Sequence, residues 1–475
     1  MTKHHGMAPL KGMAAHCKRG HEVTRDDRFG RMFPSIPPAY VPADVLREVG
    51  RAGGPMDGGA TATRTKSVPV GHVFFGQFVD HDITLDASSS FTRVNNPAET
   101  PNVRTPTLDL DCIYGAGPES HPYLFVDDGG PFSGAKLLTG ADMPSTGDSI
   151  ADAHQAEDLM RGPHGRAIIG DHRNDENRVI SQMQLGVIRF HNLMCDKVHA
   201  ATGHTGAELY EEARLDTTWH YQWGVVNDFL VTMCGDAVVS DILACGRRFY
   251  CPLEPHIPIE FAVAAYRFGH SMVPMALQVQ SGGGTHELFG PVLGEGFKPI
   301  SNAESVIDWS QLFFEPTKTG VQRAEKLDTT MAGDLLALPF VAPPGEASLA
   351  TRNLLRGNSF LLPAGEKVAE EMGRSEKEIE DVVKAVSKLS DKKITEGVPL
   401  WLYLLAEAEE IGRETKPGKF DSAEGLGPVG ARIVAEVMIG LLELDDNSFL
   451  GSNRNWLPEA DYDTVGKILT KASPA

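Results

Sequence analysis

The residues of this chain best placed to do chemistry lie in Gly71 to Asp86, GHVFFGQFVDHDITLD. At helical spacing Gln77, Asp80, His81 and Thr84 fall at i, i+3, i+4 and i+7 and share one face. Val73, Phe74 and Phe78 make the same segment apolar enough to be buried. Buried polar groups require partners, so this polar face predicts a ligand or cofactor. A lone histidine on an apolar helix is most often a satisfied core residue, but His81 has Gln77, Asp80 and Asp82 around it, which packing alone does not explain. Asp82 lies about 100° round the helix from His81 and therefore serves a different partner.

Other segments must position partners for this face. Gly170 to Glu176, GDHRNDE, precedes a stretch in which Ile180, Met183, Val187, His191, Met194 and Val198 recur at three and four, an amphipathic helix. Arg173 and Glu176 stand at or just before its start, where an acidic group alone is explained by the positive helix end. After the proline-rich break CPLEPHIP, a buried helix is predicted from Glu260 to near Pro274, with Val263, Tyr266, Arg267 and His270 on one face. The segment LATRNLLRGNSF makes a further helix carrying Asn353 and Arg356. In RTPTLDLDCIYGAGP, Thr105, Thr107, Asp109 and Asp111 alternate on a loop. Such oxygens suit a hard cation that takes about six to eight of them, with calcium the candidate and Asp82 a carboxylate from elsewhere. Turn formation is the plainer reading of the same residues.

Two buried helices, each with a histidine in apolar sequence, suit the two sides of a haem, one imidazole ligating iron and the other waiting across the open face. Cleaving peroxide requires a neutral imidazole that takes a proton from one oxygen and returns it to the other. It also calls for a cation to stabilise charge on the leaving oxygen. His81 and Arg173 suit these roles, with Gln77 one turn before His81 to hold water, peroxide or an anion. A ligating imidazole needs its second nitrogen held, and Asn353 is the candidate partner for His270.

These motifs resemble those of the animal haem peroxidase, or peroxidase–cyclooxygenase, superfamily, and of its bacterial members in particular. GQFVDHD is similar to the family's distal histidine motif, GDHRNDE to its distal arginine motif, EFAVAAYRFGH to its proximal motif and RNLLRG to its asparagine-bearing segment. RTPTLDLDCIYG is similar to its calcium loop and LGPVGARIVAEV to a late helix common in bacterial members. They stand in the family's order, from about Phe29 to Leu450.

The resemblance implies that His81 is the distal acid–base residue beside Gln77 and Arg173, and that His270 is the proximal iron ligand supported by Asn353. The implied cofactor is haem b or a covalently attached derivative. Asp80 and Glu176 stand like the carboxylates that esterify the haem methyls in mammalian members. Asn177 stands where some members carry a methionine that makes a sulfonium link, so that link is expected to be absent. Asp82, Thr105, Thr107 through its carbonyl, Asp109 and Asp111 become a Ca²⁺ site, which the adjacency of Asp82 to His81 ties to distal geometry. The implied reaction is reduction of hydrogen peroxide at a ferric haem, followed by oxidation of a small donor of the halide, thiocyanate or phenol class. Fatty-acid oxygenases of the superfamily form a radical on a tyrosine three residues before the proximal histidine. That position is Arg267 here and Tyr266 is one residue off, which favours a peroxidase over a lipid dioxygenase.

Composition narrows the field further. With 44 Lys and Arg against 64 Asp and Glu, the formal charge is −20, which argues against a nucleic-acid partner. Cys17, Cys112, Cys195, Cys234, Cys245 and Cys251 make no disulfide framework or CxxC pair; reduced thiols are expected, although Cys245 and Cys251 are near enough in sequence to pair. No run approaches the about eighteen apolar residues of a membrane span, and no leader is visible. A soluble protein is expected, cytoplasmic by default, with leaderless export left open and the oligomeric state unread.

Few segments alternate and no repeat is present, so the chain reads as mainly α, a single large helical domain at 29–450 with long irregular loops and little β. Residues 1–28, with His4, His5, His16 and His21, read as a loose arm, and 451–475 as a loosely structured tail. Gly53 to Pro69 reads as a glycine-rich loop and Pro274 to Pro344 as surface excursions. A remote alternative is a metal-dependent His-Asp hydrolase built on His81 and Asp82, but His72 is its only near extra ligand and Arg173 would stand idle. A silent haem or calcium scaffold leaves His81, Gln77 and Arg173 together unexplained.

Overall fold

The computed structural model describes residues 28–473 except 61–62, 87, 314–320, 391–393 and 395–396. The expected N-terminal arm, with its four histidines and Cys17, lies outside these residues apart from Arg28. About 47% of the chain is helical, and strands among the described residues form only two-stranded pairs, so the fold is mainly α.

The helices that build the site are α1 (Ala43–Gly50), α2 (Gly71–Ile83), α3 (Arg178–Thr202), α4 (Gly206–Gly224), α5 (Leu349–Ser359), α6 (Leu400–Glu410), α7 (Pro428–Glu443) and α8 (Val465–Ala472). α2 packs on α3, α3 on α4 and α8, and α5 on α1 and α6. α2 begins where predicted, because Gly71 allows close approach: a Cβ there would lie 2.6 Å from the Phe313 ring and 2.7 Å from the Leu312 carbonyl. The Leu312 carbonyl accepts the Gly71 N–H at 2.8 Å and the Gln322 carbonyl accepts that of Val70 at 2.9 Å.

The described residues of 274–344 are therefore more than surface excursions. They seal the N-terminal end of α2, with Trp309, Leu312, Phe313 and Leu327 buried, and their strand Arg323–Glu325 pairs with Arg64–Pro69 inside the expected glycine-rich loop. Low periodicity hid this packing, since irregular chain buries side chains without a repeating pattern. The closing residues likewise hold α8, whose Val465, Ile468 and Leu469 are buried.

α4 runs on through a wide π turn, Val225–Leu230. There the Asp228 carboxylate accepts the His72 Nε2–H of α2 at 2.8 Å and the Val465 N–H of α8 at 2.9 Å. The expected helix from Glu260 is helical but irregular, a π turn over Glu260–Ala264 followed by tight 3₁₀ turns over Ala265–Ser271. Tertiary contacts override the regular ladder here. Tyr266 stacks on Phe261 at 4.7 Å and donates to the Gly76 carbonyl at 3.1 Å, Arg267 donates back to the Ala262 carbonyl, and Trp401 donates to the Arg267 carbonyl.

Buried carboxylates hold several connections by accepting backbone amides: Glu436 takes those of Arg248, Phe249 and Tyr250, and Glu407 those of Val429 and Gly430 at the start of α7. Glu260 accepts Met32 N–H at 2.9 Å and Phe33 N–H at 3.4 Å, clamping the chain's entry onto the His270 segment. Glu260→Ala should lower unfolding free energy by about 2–4 kcal/mol in guanidinium, because two buried donors lose their acceptor. An unchanged midpoint would show that residues 32–33 are held by something else.

Candidate active site

Gln77, Asp80 and His81 share one face of α2 as their spacing predicts, while Thr84 lies just past its end in extended backbone, and the chain around this face defines the state of His81. His81 Nδ1 lies 2.7 Å from Asn174 Oδ1. The Asn174 amide donates to Gln184 Oε1 at 2.8 Å, and the Gln184 amide donates to the Cys112 carbonyl at 3.1 Å. Each carboxamide is thereby fixed by the next, so Asn174 presents oxygen, Nδ1 carries the proton and Nε2 is left with its lone pair. Burial, reinforced by the Arg173 cation, holds this imidazole down at about 4, so it is neutral near neutral pH and able to accept a proton.

Arg173 lies beside it. Its Nη2 donates to the His81 carbonyl at 3.0 Å and, with Nε, grips Asp171 at 2.7–3.2 Å. Asp171 also accepts the Arg173 N–H at 2.9 Å and takes Arg104 on its other side at 2.6 Å. Burial alone would raise the Asp171 carboxyl, but hydrogen bonds and charge from Arg173, followed by Arg104, win and hold it at about 2. Gln77 donates its amide to Glu176, whose carboxyl burial raises to about 7. Thr84 turns back on Asp80 at 2.8 Å. Asn177 accepts the Ile180 N–H at 3.0 Å and serves as the N-cap of α3.

On the other side, His270 Nδ1 meets the Asn353 carboxamide at 2.8 Å, the predicted pairing. With the amide so placed Nδ1 accepts and the ring proton sits on Nε2, while Arg267 reaches the amide oxygen at 3.5 Å; a half-turn of the amide would set its oxygen against an Nδ1–H and free Nε2 for a metal. Burial, then Arg267 and Arg352, hold the ring at about 3. The two histidine-bearing elements touch through the Tyr266–Gly76 hydrogen bond.

Arg267, Arg352 and Arg356 gather on this side, with Phe91 beneath Arg356 at 4.5 Å and beneath Arg352 at 5.7 Å. Arg356 pairs with Asp86 at 3.1 Å, while neither Arg267 nor Arg352 has a carboxylate at ion-pair distance among the described residues. Burial and the neighbouring guanidiniums bring Arg356 down to about 10. Gathered cations short of anions beside a buried imidazole fit the carboxylates and iron of a haem.

The acidic loop meets α2 as expected. Asp82, Asp109 and Asp111 each bring a carboxylate oxygen within 4.8 Å of the others. Leu110 between the two loop aspartates takes a left-handed conformation at φ 60°, which breaks the extended alternation and lets both converge; such strain clusters at functional sites. Thr105 donates to Asp109 at 2.9 Å, and the Thr107 hydroxyl also bonds it. Asp82 is fully buried, with the Cys112 thiol beside it; its Oδ1 has no nitrogen or oxygen partner among the described residues, while Oδ2 accepts from Tyr221 and Leu110. Burial and mutual repulsion raise Asp82 to about 7. An orphaned carboxylate oxygen among other carboxylates fits a hard divalent cation.

His72 binds Asp228, and Asp82 turns away from it to the loop, so the hydrolase ligand set is not assembled. Asp171, Asn174, Gln184, Arg104 and Arg352 were missed by the sequence reading. Gln184, a polar residue beside the apolar stripe of α3, carried the same signal as Gln77.

A family model described as animal haem peroxidase matches residues 87–371, and the chain belongs to that family. The match takes in the acidic loop, Arg173, His270 and Asn353, and begins after α2. A peroxidase-like protein of Margaritifera margaritifera is 26% identical over 273 residues, 48% of this chain and 33% of that protein. Dual oxidase 1 of Caenorhabditis elegans is 25% identical over 201 residues, 40% of this chain and 13% of that protein. The chain thus spans about a third or less of these relatives.

Among solved structures, peroxidase A from Dictyostelium discoideum has a TM-score of 0.65 at 16% identity, covering 96% of this chain and 93% of that one. A fatty acid alpha-dioxygenase from Arabidopsis thaliana has a TM-score of 0.60 at 16% identity, covering 94% and 76%. These likenesses show a shared fold. Family membership implies haem binding and oxidoreductase chemistry.

Because Asp171 sits below its unfolded value of 3.8, the stability it contributes is full above about pH 4 and is lost as pH falls toward 2. Asp171→Asn should cost at least about 2 kcal/mol at pH 7. The gap from wild type should shrink below pH 4, as read by urea unfolding across pH; a gap independent of pH would contradict the pairing.

Proposed function

We propose that this chain is a haem peroxidase that reduces hydrogen peroxide and then oxidises a small donor of the halide, thiocyanate or phenol class. The observation that carries the reading is His81, neutral and locked by Asn174 with Nε2 free, beside an Arg173 whose guanidinium is tethered to the His81 carbonyl. Bound haem supplies the redox-active iron at which peroxide is reduced. His270 would hold that iron through Nε2, with Asn353 orienting the ring, and Arg267, Arg352 and Arg356 would take the haem carboxylates. His81 Nε2 takes the proton from one peroxide oxygen and returns it to the other, and Arg173 stabilises the charge on the departing oxygen. Gln77, Asp80 and Glu176 line the same side, the last two as the candidates for ester attachment. Asp82, Thr105, Thr107 through its carbonyl, Asp109 and Asp111 would hold Ca²⁺ and brace the α2 terminus beneath His81.

The second reading, a fatty-acid dioxygenase, has a structural neighbour in its favour. Against it, the residue three before His270 is Arg267. The nearby Tyr266 is buried, stacked on Phe261, and commits its hydroxyl to Gly76, which leaves it no role as an exposed oxidant.

The purified protein should show a Soret band that shifts on adding peroxide, and no oxygen uptake with unsaturated fatty acid; uptake without peroxide would favour the dioxygenase. His81→Ala should slow the peroxide-induced change in stopped flow by about 10²–10⁴-fold, and unchanged kinetics would remove His81 from the mechanism. His270→Ala should lose haem, and an intact Soret band would contradict its ligation. Asp109→Ala should lose bound calcium by metal analysis, and calcium retained at the wild-type ratio would place the ion elsewhere.

A further inference from the structure

Arg104 stands immediately before the acidic loop, and its sequence position does not mark it as functional. Its side chain is only 8% exposed. Nη1 meets Asp111 at 3.2 Å, while Nη2 meets Asp171 at 2.6 Å and the Gly170 carbonyl at 3.2 Å. Gly170 allows this close seating, since a Cβ there would lie 2.6 Å from the Cys112 carbonyl and 2.7 Å from that of Asp111. Asp171 in turn grips Arg173, which donates to the His81 carbonyl. A continuous run of charge-assisted contacts through Asp111, Arg104, Asp171 and Arg173 therefore joins the acidic cluster to the distal cation. It runs in parallel with the peptide bond between His81 and Asp82. The charges also match: three carboxylates, Asp82, Asp109 and Asp111, are balanced by a divalent cation together with one guanidinium.

We infer that Arg104 is a positioning residue that makes the placement of Arg173 depend on a cation in the acidic cluster. The inference rests on the calcium and haem reading above. With the cluster short of a cation, Asp111, which Arg104 meets at 3.2 Å, competes with Asp171 for that guanidinium. With the cation bound, Arg104 is released to fix Asp171, and Asp171 fixes Arg173. A planar guanidinium suits this task because it forks between two carboxylates, which a lysine ammonium does not.

The test is cyanide binding to the ferric holoprotein, a small anionic ligand that senses the distal groups, followed by the Soret shift with calcium bound and after chelation. In the wild type, calcium removal should weaken cyanide binding about tenfold, and by reciprocity calcium should bind about tenfold more tightly to the cyanide complex. Arg104→Gln should remove most of the calcium dependence of cyanide affinity and leave only the part carried through Asp82 and His81. Arg104→Lys, which keeps the charge, should bind calcium near the wild-type affinity and still lose most of the coupling. It decides the matter if the glutamine variant does not fold. Wild-type coupling in Arg104→Lys, or calcium bound by the wild type with no coupling at all, overturns the role of Arg104 and leaves the calcium site standing. A wild type that binds no calcium overturns both.

Discussion

The hydrogen bond between His81 and Asn174 is the contact on which the proposed chemistry of this chain depends. A buried imidazole has two nitrogens that are alike until something outside the ring distinguishes them. Here that distinction is imposed by a run of carboxamides ending on a backbone carbonyl, Asn174 to Gln184 to Cys112. The backbone carbonyl cannot donate, so every group before it has its direction set. The lone pair that the proposed reaction would use is thereby a property of α3 and the acidic loop as much as of α2.

The same elements supply the electrostatics. Arg173 is held by a carboxylate that is itself shared with Arg104, and the loop bearing both Asp171 and Asn174 is braced by Arg161, which spans Asp158 and Asp175 at 2.7–2.8 Å. Buried ion pairs of this kind cost desolvation and return it only when fully hydrogen-bonded. Their value here lies in the fixed placement of a cation beside a neutral base. Across the site the balance reverses, with three arginines and few carboxylates around His270. A chain of formal net charge −20 thus keeps three arginines gathered beside His270.

Much of this was legible from spacing. The face of α2, the apolar stripe of α3, the Asn353 helix and the acidic loop were all readable, because each follows a regular period or a dense run of ligand-type residues. His270 was placed on a regular helix, yet the segment is π followed by 3₁₀, since Tyr266, Arg267 and Trp401 take up backbone groups that an α ladder would use. Asn174 and Asp171 lay in a motif already singled out, but their partners are long-range, and sequence spacing carries no information about them. The packing of residues 274–344 and of α8 was hidden for a related reason: irregular chain buries its side chains against particular neighbours rather than along a repeating stripe.

The sealing of α2 bears on how the molecule comes to exist at all. Its first turn is tied to Leu312 and Gln322, and through His72 and Asp228 to Val465 near the chain's end. During synthesis the helix bearing the distal base emerges early but finds its last anchor only when nearly four hundred further residues have followed. Contacts so distant in sequence are slow to form, so the proposed capture of haem between His81 and His270 would fall late in biogenesis rather than in its nucleus.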